Sequence, residues 1–143
     1  TISTVVGVPA LAAVGKMLAA GGVPAEEGIS ALEAALALPV SVAFDPAGDL
    51  YIAELGTSLA AMGERPDLAA LVAELPPLGA RIRKVGKDGL ISTIAGEGAK
   101  LLADPSGDDA MLYPLLIGFD PEGRLVIADG ALNQIKMLPK GAF

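Results

Sequence analysis

The chain is 143 residues long with a mass of 14.3 kDa, enough for one domain with a real core and too short for two independent ones. Seventeen Asp and Glu against ten Lys and Arg leave a net charge of −7, so no diffuse cationic field draws phosphates, and nucleic acid is not an expected partner. With no Cys and no His, disulfides, thiolate and imidazole catalysis and zinc sites of the Cys/His kind all fall away.

Apolar residues make up 52% of the chain and aromatics only 3%, so the expected core is aliphatic. No apolar run approaches the roughly 18–20 residues that a membrane-spanning helix needs. The start, Thr1-Ile2-Ser3-Thr4-Val5-Val6-Gly7, lacks the charged and apolar regions of a signal peptide. The expectation is a soluble chain of undetermined compartment that makes no membrane contact. A mean hydropathy of +0.57 is high for a monomer of this size and points to an apolar face covered by another chain.

In chain order, the β-rich residues 1–7 come first. Residues 8–38 follow, with Leu11, Val14 and Leu18, then Ile29, Leu32 and Leu36, at helical spacing. Two short helices are expected there, with Pro9 and Pro24 as first-turn prolines, Glu26 and Glu27 at a helix N-terminus, and Gly21-Gly22 between them. Residues 39–54 read as a hairpin, Pro39 to Phe44 and Leu50 to Glu54 around Asp45-Pro46-Ala47-Gly48, because proline presets φ and glycine accepts φ > 0. An insertion over 55–79 contains Leu68, Leu71, Val72 and Leu75 on one helical face, stopped by Pro76-Pro77, and predicts a third helix. Ala80 to Val85 and Leu90 to Gly96 then read as two more strands joined by Gly86-Lys87-Asp88-Gly89.

Residues 114–129 repeat residues 39–54 with an offset of 75, sharing the Pro, Phe-Asp-Pro, Gly, Leu and Ile-Ala positions. A third strand follows in both copies, Asn133 to Leu138 answering Ala80 to Val85. The second copy stops where its fourth strand should begin, while Thr1 to Gly7 matches Leu90 to Gly96 at Ile, Ser, Thr and Gly. The N-terminus thus reads as a fourth strand whose first three strands lie elsewhere. Residues 97–113 are the connection between the copies.

The run Asp-Pro-x-Gly-x-Leu-Tyr-Ile-Ala from Asp45, then Arg81-Ile82-Arg83-Lys84-Val85, the Lys87-Asp88-Gly89 turn and Ile91-Ser92-Thr93-Ile94-Ala95-Gly96 resemble the NHL repeat. The resemblance covers about half the chain. It implies a β-propeller of four-stranded antiparallel blades, commonly six. It departs from the family at Gly107-Asp108-Asp109-Ala110 and at Asp129-Gly130-Ala131-Leu132-Asn133, where the usual connection and loop motifs are degraded. The expected fold is therefore mainly β with helical insertions: two blades per chain, with 39–96 as the first blade and 114–143 supplying three strands of the second. Two blades do not close a propeller, so closure is expected by oligomerisation, as a head-to-tail C3 homotrimer with six blades or, second, a four-copy ring with eight; the third alternative is a piece of a longer propeller, whose other blades belong to further sequence.

Candidate chemistry is sparse. Glu54 and Asp129 end the second strands, where a ligand role is set against a purely structural one. Arg81, Arg83 and Lys84 with Lys87 form a basic cluster, in which Arg81 and Arg83 share a strand face with a geometry suited to clamping a carboxylate or phosphate, against a solvated or salt-bridged face as the plainer alternative. Asp45 and Asp120 are expected to cap their own turns. Asp104, Ser106, Asp108 and Asp109 lack calcium-loop spacing, and Gly96-Glu97-Gly98 lacks the Lys and Ser/Thr of a phosphate loop. No catalytic set, metal or cofactor is expected. The function expected is a non-catalytic, self-assembling scaffold or binding module presenting helices and loops to a peptide or small molecule. The alternative is a ligand-binding, hydrolase- or lyase-like propeller whose carboxylates and arginines meet across subunits. The regularity of the repeats, without His, Cys or Trp, fits a designed or engineered chain as well as a natural one.

Overall fold

The computed structural model describes residues 2–20, 26–56, 80–96, 114–130 and 133–142. They form one α-helix, α1 (Ala10–Ala20), and eight strands: β1 (Ile29–Ser30), β2 (Pro39–Phe44), β3 (Leu50–Glu54), β4 (Arg81–Val85), β5 (Leu90–Gly96), β6 (Pro114–Phe119), β7 (Leu125–Asp129) and β8 (Gln134–Leu138). The strands build two antiparallel sheets, one in the order β1-β5-β4-β3-β2 and one in the order β6-β7-β8.

Local chemistry sets the two matching hairpins. At Asp45 the carbonyl accepts the Gly48 N–H at 2.9 Å and Oδ1 accepts the Asp49 N–H at 2.9 Å, with Gly48 at φ +90. At Asp120 the same bonds reach Gly123 at 3.0 Å and Arg124 at 2.8 Å, with Gly123 at φ +80. Each aspartate caps its own turn, and only glycine takes such a φ without strain. Burial works against the charge on Asp120, but hydrogen bonds from Arg124 outweigh it and hold the carboxyl below its ordinary value.

Register then sorts side chains onto two faces, since directly opposed residues point the same way. In the first sheet Ser41, Ala53, Ile82 and Ala95 form one row and Ala43, Tyr51, Lys84 and Ser92 the next, all on one face. The other face carries Val42, Ile52, Arg83 and Thr93, then Phe44, Leu50, Val85 and Ile91. In the second sheet Ile117, Ile127 and Lys136, with Phe119, Leu125 and Leu138, share one face. Leu116, Ala128 and Ile135, with Gly118, Val126 and Met137, share the other.

The main core lies between the sheets. Tyr51, Ala53, Ile82, Ile94 and Ala95 of the first pack against Ile117, Leu125 and Ile127 of the second, with Ala43, Phe119 and Leu138 at the margin. The Tyr51 and Phe119 rings meet edge to face, with centroids 4.8 Å apart. The phenol donates to Asp45 Oδ2 at 3.3 Å, and burial pushes its pKa up. Ser41 Oγ accepts the Ile117 N–H at 3.1 Å, which satisfies a backbone donor at the contact of the two sheets. A second, smaller core lies on the opposite face of the first sheet, where Ala31 and Ala34 cover Ile52 and Ile91 with Val6, Ile29 and Leu36 beside them.

Two sequence expectations change. Residues 29–36 are not a helix: β1 pairs Ile29 with Ile91 and a 3-10 turn over Ala31–Glu33 follows. The open edge of β5 is the reason, because Gly28 N–H donates to the Ile91 carbonyl at 2.8 Å and Ala31 N–H to the Gly89 carbonyl at 2.9 Å. Partners outside the segment thereby override its 3.6-residue period, and Leu32 is left exposed. Glu26 and Glu27 accordingly cap no helix; Glu27 takes the Thr93 N–H and hydroxyl instead. Residues 2–6, expected to pair with strands outside the chain, make no strand pair among the described residues. The helix expected within 55–79, the 97–113 connection and the acidic group around Asp108 lie outside the described residues.

Candidate functional site

Strand geometry brings three of the four candidate residues together. Glu54 lies directly opposite Arg81 across the β3–β4 pair, and Ile52 opposite Arg83, so Glu54, Arg81 and Arg83 share the sheet face that looks toward residues 26–37. All three are buried, Glu54 and Arg83 at 0% exposure. Glu54 Oε2 accepts Arg81 Nε at 3.0 Å and the Ala37 N–H at 3.0 Å. Arg81 Nη2 donates to the Ala35 carbonyl at 3.2 Å, and Arg83 Nη2 to the Glu26 carbonyl at 2.9 Å. Arg83 Nη1 stands 4.0 Å from Glu54 Oε1, and neither atom makes a hydrogen bond among the described residues.

This arrangement is a polar clasp. Each charged group holds backbone of the 26–37 segment, and one carboxylate stands between two guanidiniums. Burial, with Arg81 alongside, holds the Arg83 guanidinium below its ordinary pKa, against the pull of Glu54, Glu27 and Glu26. Glu26 extends the clasp: its Oε1 pairs with Lys16 Nζ of α1 at 3.0 Å. Sequence reasoning missed the role of Glu26 by placing it at a helix N-terminus; its partners Lys16 and Ala35 lie ten and nine residues away, beyond the spacing of one helical turn.

Asp129 is held separately. It is buried at the equivalent place in the second sheet and pairs with Lys136 Nζ at 3.0 Å, the repeat-mate of Arg83. Both repeats therefore keep an acid at the end of the second strand and a cation on the third. In the basic cluster Arg81 and Arg83 are buried, Arg81 in an ion pair with Glu54, so they form no solvated face, whereas Lys84 pairs with Asp49 at 3.0 Å. Among the described residues no group of acidic side chains is arranged to hold a metal ion. No helix among them is long and apolar enough to cross a membrane.

No family model matches the chain, and no curated protein matches it. Among solved structures the chain is similar to a structural-genomics protein of unknown function from Bacteroides thetaiotaomicron VPI-5482, with 22% identity and a TM-score of 0.51 over 82% of this chain. The match covers 25% of that protein, so the chain spans about a quarter of its length, and the likeness is one of fold alone.

Proposed function

We propose that the chain is a non-catalytic building unit of a β-propeller, two blades per copy, which assembles with further copies into a closed ring and acts as a scaffold. One observation carries this: among the described residues β6-β7-β8 form a three-stranded sheet, and residues 2–6, whose sequence repeats that of β5, pair with no strand among them. Ile2 and Val5 are exposed at 102% and 70%, a state that apolar strand residues rarely keep in a finished assembly. Gly7 at φ +91 matches Gly96 at φ +87, so the two segments end in the same backbone conformation.

The β4–β5 register transfers directly to the missing pair. Lys84 faces Ser92 and Val85 faces Ile91, so Met137 of one copy faces Ser3 of the next and Leu138 faces Ile2. The absence of cysteine makes the test clean. A Ser3→Cys, Met137→Cys double variant, oxidised mildly, forms disulfides between chains, because directly opposed strand residues fall within disulfide reach. Non-reducing gels then show covalent oligomers, and a product that stays at one chain mass overturns the proposal. The clasp favours a scaffold over a ligand-binding enzyme, because Glu54 and its arginines are committed to backbone partners and Asp129 lies apart from them.

A further inference from the structure

Residues 26–37 cross the first sheet as a cover built largely of small side chains. Ala31 and Ala34 lie on Ile52 and Ile91, with Ile29 and Leu36 beside them and Leu50 and Val85 at the margin, while Leu32 turns to solvent. Each alanine methyl buries little apolar area, so the hydrophobic grip of this cover is weak for its length. The rest of the grip is polar. Glu54 holds the Ala37 N–H, Arg81 the Ala35 carbonyl and Arg83 the Glu26 carbonyl, and Glu27 reaches the other way to Thr93. Bonds of this kind are exchanged for bonds to water when the partners separate, so little net free energy opposes their release.

The covered arrangement also carries strain and desolvation that separation relieves. Two guanidiniums and one carboxylate are held out of water, and Glu54 Oε1, Arg83 Nε and Arg83 Nη1 have no hydrogen-bond partner among the described residues. Buried charge of this kind regains hydration once it is uncovered. At the C-terminal end of the cover Leu38 has φ +53 directly before Pro39, a position where a residue with a side chain favours extended backbone at negative φ. At the N-terminal end Gly28 has φ +71. Left-handed backbone therefore brackets the cover, and lifting the cover lets Leu38 relax.

We infer that residues 26–37 are a strap that lifts off the first sheet as one unit while both sheets stay folded, baring the Leu50, Ile52, Val85 and Ile91 row together with Arg81 and Arg83. Its only strand pairing is the two-residue β1 on β5. Gly7 and Val8 let go with it, since their N–H groups donate to the Ala31 and Ala34 carbonyls at 2.8 and 3.0 Å, and α1 is tied to it through Lys16 and Glu26. Glu54, Arg81 and Arg83 form the latch that sets how often this apolar face is uncovered. The device is internal to one chain and holds whatever the number of copies.

Hydrogen exchange of the full chain, followed amide by amide by NMR at low urea, tests this. The amides of Gly7, Val8, Gly28, Ala31, Ala35 and Ala37 are expected to share one opening equilibrium, at least about tenfold more populated than the opening that frees β4 and β7. They also depend less on urea, because less surface is exposed when the strap lifts. Ile127→Val trims the core between the two sheets; it speeds exchange in β4 and β7 about fivefold and leaves the six strap amides unchanged. A Cβ at Gly28 meets nothing within 4 Å but opposes the closed backbone, so Gly28→Ala speeds the strap amides about tenfold. Six amides that exchange at scattered rates, or at the rate and urea slope of β4 and β7, overturn the strap, and so does an Ile127→Val chain in which they speed up as much as β4. A Gly28→Ala chain whose strap amides keep their rate overturns the closed conformation on which the strap turns.

Discussion

Replacing Glu54 by alanine removes the carboxylate that stands between Arg81 and Arg83, and leaves two guanidiniums buried at 4% and 0% exposure without it. Desolvated charge that has lost its partner is costly, and removing one side of a buried pair typically costs about 3–5 kcal/mol. The Ala37 N–H loses its acceptor as well. Glu54→Ala is therefore expected to lower the unfolding free energy by about 3–5 kcal/mol, read as a shift of the urea midpoint at unchanged slope. A loss below about 1 kcal/mol, the scale of exposed ion pairs, would contradict the clasp. Glu54 and Arg81 were visible in the sequence as charged residues at strand ends. Their burial was not, because it depends on residues 26–37 folding back over the sheet.

The strands from β2 onward were legible because of β-branched runs, Asp-Pro-x-Gly turns and, for β2 and β3, a second copy 75 residues further on. The segment 29–36 was not, since its leucine spacing fits a helix and only the free edge of β5 decides against it. Gly96 is a place where strand pairing limits the residue choice. A Cβ built there would lie 2.1 Å from the Ala80 carbonyl oxygen and 2.7 Å from Arg81 Cα, at φ +87, so both sterics and backbone conformation oppose a side chain. Gly96→Ala is expected to destabilise the first sheet by at least about 1–3 kcal/mol, the range of overpacked positions. Thermal unfolding measures it, and an unchanged midpoint would mean that β4 and β5 do not end in this close approach.

At the scale of the whole molecule, the described residues form a five-stranded sheet and a three-stranded sheet, and residues 1–7 repeat the sequence of β5. The high mean hydropathy leads to the expectation of a covered apolar face, and Val42, Phe44, Leu116 and Ile135 are exposed apolar side chains. A closed head-to-tail ring leaves neither end of its unit exposed. The measurement that tests this most directly is the solution mass of the unmodified chain by light scattering across a dilution series. The account predicts an assembly of three chain masses that persists on dilution. A single chain mass at every concentration would contradict it.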